Sequence, residues 1–268
     1  MMKKVLILLS FSLLAFALVS TLAQESPPHK KRLLAVGMSE GFHHESVSDA
    51  LGTLYELGQE TGLWETFIHT DVNPITKKKL GDNAKNLNDF DAVFFMTAGE
   101  LPMDDPQKAD LLSFIKEDGK GFLGAHNATD TFYKWPEYGE MIGGYFDGHP
   151  WMQFDATINV EDPDFPAMKP FSKTLNLKDE IYQTRDFSRS RVRVLMSLDT
   201  SKVDLTKEGV HFHDIPIAWA RDYGKGRVFY CGLGHRPEIW QRKDIRQMWV
   251  EAVKWTMGMT DGDATPRP

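Results

Sequence analysis

Gly121-Phe122-Leu123-Gly124-Ala125-His126-Asn127-Ala128-Thr129-Asp130 sets the fold expected of this chain. A short apolar run that breaks at a glycine into small residues and a helix start is the layout of a nucleophile elbow. There, a strained strand-to-helix turn lifts one side chain above the sheet. The apex here is His126; neither Ser nor Cys stands there. The stretch therefore predicts a hydrolase-like α/β scaffold that has lost its covalent chemistry.

Upstream of the elbow, strand-like and helix-like stretches alternate, the order that builds a parallel sheet with helices on both faces. Residues 33–36 read as the first strand. Val47, Ala50, Leu51, Leu54 and Leu57 then recur at helical spacing until Gly58 and Gly62 end the pattern. Residues 64–68 and 92–96 give the second and third strands, Asp105-Pro106 opens a helix carrying Ala109, Leu112 and Ile115, and Phe122-Leu123 is the fourth strand. The predicted fold is α/β, a three-layer parallel sheet of the flavodoxin-like kind.

Downstream the alternation becomes irregular. Between Tyr133 and Arg221, short strand-like pieces at 154–160, 192–198 and 217–219 are separated by turns such as Glu161-Asp162-Pro163-Asp164. This predicts an irregular inserted region elaborating the same domain. Gly224-Lys225-Gly226 turns into the apolar run 228–232, and Ile245, Met248, Trp249, Ala252 and Val253 make a closing helix with one apolar face. Residues 259–268 read as a disordered tail.

The first residues belong to targeting. Lys3 and Lys4 precede an apolar stretch at 5–19 broken only by Ser10 and Ser12, and Thr21-Leu22-Ala23 offers small residues for cleavage before Gln24. Residues 1–23 read as a signal peptide and 24–31 as a linker, which places the mature chain in the periplasm or outside the cell. The stretch is shorter than the roughly 20 apolar residues of a spanning helix, so no stable membrane insertion is expected. What remains, 32–258, fits one domain. The formal net charge is −7, no block of Lys or Arg interrupts it, and nucleic acid is a poor partner. Cys231, the one cysteine, lies in an apolar run and has no partner for a disulfide.

The chemistry-bearing residues fall in loops just after strands, where open α/β sheets bind ligands. His43-His44-Glu45 comes after the first strand, 97–100 after the third, His126 to Asp130 after the fourth, and Gly234-His235-Arg236-Pro237-Glu238 after the last. The inserted region adds Gly143-Gly144-Tyr145-Phe146-Asp147-Gly148-His149-Pro150-Trp151, whose glycines allow a close-approaching loop that presents His149.

Five pieces in this order resemble the ThuA-like (trehalose utilisation) family. They are Gly41-Phe42-His43-His44-Glu45-Ser46, 124–130, Gly143-Gly144 through Gly148-His149-Pro150, Asp179-Glu180-Ile181-Tyr182, and Pro216-Ile217-Ala218-Trp219 through to Leu233-Gly234-His235. The resemblance implies a fold similar to class I glutamine amidotransferases and a role in carbohydrate metabolism. His235 followed by Pro237-Glu238 is similar to the His-Pro-Glu of the amidotransferase triad with one residue inserted. His126 in place of the nucleophilic Cys excludes glutamine hydrolysis through a thioester.

Without the family, a histidine at an elbow still has a rationale: the N-terminus of the next helix disfavours the imidazolium, and neutral imidazole is a base or a metal ligand. His44, His126, His149 and His235 come from separate loops on one rim and offer nitrogens to Zn²⁺ or a similar divalent ion, with Glu180 as carboxylate ligand or base. For metal-free chemistry the expected roles are His126 or Glu180 as base, His235 as acid, and Tyr182 as hydrogen-bond donor. His44, Asp130, His149, Trp151 and Trp219 are expected to bind substrate.

Each residue also has a plainer explanation. His43 is a solvated loop residue, Glu45 favours a first helical turn, and Asp130 is a turn or cap residue. His211-Phe212-His213 forms a polar edge strand. Trp135, Trp151, Trp219 and Trp240 pack in the core. The expected ligand is a saccharide or an oxidised (keto) sugar that the chain binds and transforms. Alternatives are a non-catalytic carbohydrate-binding protein and a metal-dependent hydrolase of a non-sugar ester or amide. Oligomeric state is not written in the pattern.

Overall fold

The structure, a computed structural model, describes residues 30–267; the expected signal peptide and nearly all of the linker lie outside the described residues. β1 (Lys31–Val36) is fully buried from Leu33 onward and pairs in parallel with β2 (Trp64–His69) and β3 (Ala92–Phe95). α1 (Val47–Thr61) makes the first crossover, buries Ala50, Leu51, Leu54 and Leu57 against the sheet, and ends at Gly62 with φ +68°. A left-handed residue there is what glycine permits at no steric cost. α2 (Asp105–Lys116) begins with a capping box between Asp104 and Gln107 and returns the chain to β4 (Gly121–Ala125), every residue of which is buried.

After β4 come α3 (Pro136–Ile142), the short β5 (Tyr145–Phe146), β6 (Gln153–Val160), β7 (Thr174–Glu180), the short β8 (Thr184–Arg185), β9 (Arg193–Leu198), β10 (Pro216–Tyr223), β11 (Gly226–Cys231), α4 (Pro237–Trp240) and α5 (Lys243–Thr256). The nine-stranded sheet has the order β2-β1-β3-β4-β11-β10-β9-β6-β7; β5 and β8 form a separate pair. Strands β2 to β11 in that order run parallel, and β10, β9, β6 and β7 continue antiparallel.

The region read as an irregular elaboration therefore supplies β6, β7, β9 and β10 to the main sheet, which is mixed at that end. The reason is burial. The inner parallel strands β1, β3, β4 and β11 are covered on both faces and read as apolar blocks, whereas β7 alternates Leu175, Leu177 and Asp179 inward with exposed Thr174, Asn176 and Lys178. Half of such a strand is polar, and no block announces it.

Helices cover both faces as expected. One apolar layer holds Trp64, Phe94, Trp240 and Trp249 under α1, α4 and α5; the other holds Phe95, Phe122, Tyr138 and Trp219 under α2 and α3. The expected disordered tail is corrected for 259–267. Arg193 Nη1 donates to Asp263 Oδ2 and to the carbonyl of Thr265, each at 3.1 Å; Trp255 Nε1 donates to the carbonyl of Gly262, and Ala264 is buried. A buried arginine paired with Asp162 attracts this segment, and nothing in the tail's own composition signals it.

His211-Phe212-His213 is not a strand. It is loop, held by Gln183 Oε1, which accepts from the backbone N–H groups of His211 and Phe212. No helix among the described residues is long and apolar enough to cross a membrane.

Candidate functional site

Four side chains from distant parts of the chain meet above the carboxyl ends of the central strands. His44 comes from the loop after β1, His126 from the end of β4, His235 from the loop after β11, and Glu180 from the last residue of β7. One ligand atom from each lies within 4.8 Å of all the others. The outermost strand reaches the centre because Asp179 clamps it there: its carboxylate accepts from Gly234 N at 2.7 Å and Arg236 N at 3.1 Å.

The elbow is real, and it is strained. His126 has φ +38°, a region that non-glycine residues rarely occupy. The chain leaves β4 in a five-residue 3-10 turn, His126–Asp130, rather than an α-helix, so the expected helix dipole is not what keeps His126 neutral. Burial does so first, and the neighbouring charge of His44 adds to it, holding the His126 pKa well below the ordinary histidine value. Its Nδ1–H donates to the carbonyl of Gly232 at 2.8 Å. That bond fixes the tautomer and leaves the Nε2 lone pair 3.2 Å from His235 Nδ1 and 3.7 Å from Glu180 Oε2.

His235 Nδ1 is also 3.1 Å from Glu180 Oε2. Burial alone lowers the His235 pKa, but the hydrogen bond and charge of Glu180 outweigh it and the net shift is upward. His44 moves the other way, down to about 4, through burial and then the charge of His235. It stands between Asn127 Nδ2, 3.1 Å from its Nδ1, and the Tyr182 hydroxyl, 3.2 Å from its Nε2. The cluster thus holds two neutral imidazoles and one that gains a proton readily beside a carboxylate.

A hollow of about 520 Å³ opens over this cluster. Phe42, Phe146, Met152 and Tyr182 form apolar walls, while His44, Glu180 and His235 present their polar atoms at its base. His126 is absent from the lining and fully buried; it lies beneath the floor, so the apex expected to act on substrate does not touch the hollow. Asp130 and His149 do line it. Asp130 accepts from the Tyr133 hydroxyl at 2.6 Å, and burial raises its pKa. His149 is set apart from the four-residue cluster: its Nδ1 lies 3.6 Å from the other oxygen of Glu180.

The tryptophans do not face the hollow. Trp219 is fully buried with Nε1 donating to the carbonyl of Ile142, and Trp151 donates to the carbonyl of Asp204. Trp135 and Trp240 are core residues too. A wide aromatic surface is satisfied by the nearest apolar layer, and closeness in sequence to a histidine loop does not redirect it.

The aromatic walls come instead from Phe42 and Phe146, with Met152 at the mouth at φ +55° and largely exposed. The sequence pattern gives no role to these residues, to Gln153, or to the supports Asn127 and Asp179. The available signal was a phenylalanine inside an otherwise polar histidine loop, as in Phe42-His43-His44. A lone exposed apolar residue is ordinary by itself; Phe42 forms a wall because Phe146, Met152 and Tyr182 continue the apolar surface around the hollow.

Relatives share this architecture. The ThuA family profile, described as trehalose utilisation, matches residues 32–256. The chain belongs to the ThuA family. A solved structure of a putative ThuA-like protein from Bacteroides uniformis ATCC 8492 has 21% identity and a TM-score of 0.68, over 87% of this chain and 94% of that one. A putative ThuA-like protein from Parabacteroides merdae ATCC 43184 has 17% identity and a TM-score of 0.65, over 89% and 98%. A cytoplasmic protein from Salmonella typhimurium is similar at 12% identity with a TM-score of 0.51, over 83% and 97%. At these identities the likeness shows the fold, the mostly parallel α/β sheet of ThuA-like proteins. No curated protein sequence matches the chain. The family associates the ThuA fold with carbohydrate metabolism; chemistry must be argued from the site.

Proposed function

We propose that this chain is an exported ThuA protein, periplasmic or extracellular, that binds a saccharide or an oxidised (keto) sugar and moves a proton on it. The observation that carries this is the Glu180–His235 pair, 3.1 Å apart at the base of an apolar-walled hollow. Phe42, Phe146 and Tyr182 offer flat surfaces to the C–H faces of a sugar ring, and Asp130, His149 and Gln153 offer hydrogen bonds to its hydroxyls.

The assigned steps use atoms already in place. The Glu180 carboxylate takes a proton from the carbon beside the sugar carbonyl, and His235 delivers its own to the carbonyl oxygen as negative charge develops there. Tyr182, whose pKa burial and then the Glu180 charge raise well above the ordinary value, stays protonated and donates to a substrate oxygen. His126 holds His235 in register from below. One carboxylate and one imidazole in contact divide the base and acid roles.

The test is ¹H NMR of the chain with ring-ketone forms of methyl glucoside in D₂O. Loss of the proton signal beside the ketone, faster than without protein, supports proton transfer; a bound sugar whose C–H signals persist favours a non-catalytic carbohydrate-binding protein.

A second reading rests on the same cluster. Tetrahedral zinc with N and O ligands at roughly 2.0–2.2 Å spaces those atoms by roughly 3.3 Å; His126 Nε2, His235 Nδ1 and Glu180 Oε2 are 3.1 to 3.7 Å apart, and His44 lies within 4.8 Å of each. Asn127 Oδ1 is buried without a partner. With its amide turned end for end, Oδ1 accepts from His44 Nδ1–H and leaves His44 Nε2 a lone pair, matching the arrangement Gly232 imposes on His126. His44, His126, His235 and Glu180 would then hold a divalent ion such as Zn²⁺, and the ion would supply Lewis acidity there. That arrangement would make the chain a metal-dependent hydrolase of an ester or amide. Elemental analysis of protein purified without chelator decides it: about one ion per chain, lost in Glu180→Gln, supports the cation, and its absence in active protein removes it.

A further inference from the structure

The two most exposed large apolar side chains among the described residues, Phe42 at 64% and Met152 at 57%, both line the hollow over Glu180. Scattered exposed apolar residues are ordinary, but two at one mouth mark a surface that a ligand covers. Phe42 has a packing partner in the free protein, its ring standing edge-on to that of His44 with centroids 4.7 Å apart. The exposure of Met152 has no such explanation.

The backbone of Met152 is held where methionine is disfavoured. Its φ is +55°, in the left-handed region whose steric penalty glycine escapes. The preceding loop uses glycine for such values, at Gly143, Gly144 and Gly148 with φ +110°, +157° and +109°. At position 152 it does not. The conformation is enforced from both sides: Met152 N–H donates to the carbonyl of His149 at 2.9 Å, closing a turn through Pro150 and Trp151, and Gln153 begins β6 opposite Glu180. Trp151 fills the core and donates to the carbonyl of Asp204, which leaves its neighbour Met152 at the mouth. The turn thus keeps His149 and Met152 together on the lining of the hollow.

We propose that Met152 is a ligand-gripping residue: its strained backbone and exposed side chain are held for a bound sugar ring, whose C–H surface the thioether chain covers when the hollow is filled. Methionine is flexible and has no strong hydrogen-bonding group, so it moulds to apolar surface and adds no competing bond to the hydroxyls. The left-handed backbone costs stability in the free protein, and the contact that makes use of it forms only with ligand. This assignment rests on saccharide binding in the hollow.

The experiment pairs urea denaturation with isothermal titration calorimetry of the full mature chain and a ring-ketone methyl glucoside. Met152→Gly removes the side chain and the steric penalty together, whereas Met152→Ala removes the side chain alone. Met152→Asn removes the apolar surface with a residue that tolerates the left-handed region and adds less freedom to the unfolded chain than glycine. All three should weaken the sugar about tenfold, the scale of a partly covered methionine. Urea midpoints should rise for Met152→Gly and Met152→Asn and not for Met152→Ala. Opposite signs of stability and affinity are what a residue held for ligand gives; a purely structural residue loses both together. Affinity within about twofold of wild type in all three variants, or a lowered midpoint in both Met152→Gly and Met152→Asn, overturns the grip and leaves sugar binding intact. Failure of the sugar to bind wild type overturns saccharide binding, and the grip with it.

Discussion

His126 and His235 are 109 positions apart in sequence, yet Nε2 of the first lies 3.2 Å from Nδ1 of the second. Because Gly232 holds the proton of His126 on Nδ1, only His235 has a hydrogen to place between them. The elbow therefore lies below the floor, as a support for His235, which lines the hollow. Tyr230 braces it in turn, its hydroxyl donating to the carbonyl of His126 at 2.7 Å.

His126→Ala should accordingly act on turnover. We expect kcat to fall by about 10² with KM within about threefold, since the lost group positions the acid and does not contact the sugar. A rise in KM with kcat intact would place His126 in the binding surface.

The cluster also sets how stability of chelator-treated protein depends on pH. His44 has a folded pKa near 4, below its unfolded value of about 6.5, so the stability it supports above that value is lost as pH falls between the two. His235 is raised: its contribution is complete below about 6.5 and is lost as pH rises through its folded pKa. Asp179, raised to about 6 by burial, opposes His44 on the acid side, because it costs stability as pH rises from its unfolded value toward 6. His126, held well below the ordinary value by burial, acts in the same direction as His44, so urea midpoints should fall as pH drops below about 6.5, against the partial opposition of Asp179, and decline again above neutrality. NMR titration checks each term: the His44 ring should stay neutral until near pH 4 and His235 should protonate above the ordinary histidine range.

Much of the scaffold was legible because burial on both faces writes itself as apolar blocks: residues 33–36, 92–96 and 122–123 lie in, or within one residue of, β1, β3 and β4. The rim was legible for a related reason, since parallel strands point their carboxyl ends the same way and His44, His126 and His235 each come just after one. What the pattern hid was set by contacts made elsewhere. Glu180 reaches the centre through the Asp179 clamp, Trp219 turns away because Ile142 offers it a carbonyl, and the tail is ordered by Arg193.

Arg193 carries a stability prediction of its own. It and Asp162 are both almost fully buried, 2.8 Å apart, and the tail completes the arginine's hydrogen bonds. Arg193→Ala leaves the buried Asp162 carboxylate with only the longer Arg267 contact, at 3.8 Å, and should cost about 3–5 kcal/mol by urea denaturation. Truncation after residue 260 should cost less, about 1–3 kcal/mol, because Asp162 keeps its partner.

Cys231, fully buried on β11 with its thiol pushed up to about 12, should not react with a thiol reagent at neutral pH in the native protein. Labelling at a rate that tracks urea-induced unfolding is expected; rapid labelling of folded protein would show the β11 strand to be open.

The most direct test of the Glu180–His235 assignment is the rate of solvent-deuterium exchange beside the ketone of a bound ring-ketone methyl glucoside, compared between wild type and Glu180→Gln at saturating sugar. The amide keeps the shape of the carboxylate and one accepting oxygen but cannot take the proton. Exchange should fall by about 10²–10⁴ while the sugar's dissociation constant stays within about threefold. Exchange at the wild-type rate in Glu180→Gln would remove Glu180 as the base, and the proton-transfer pair with it.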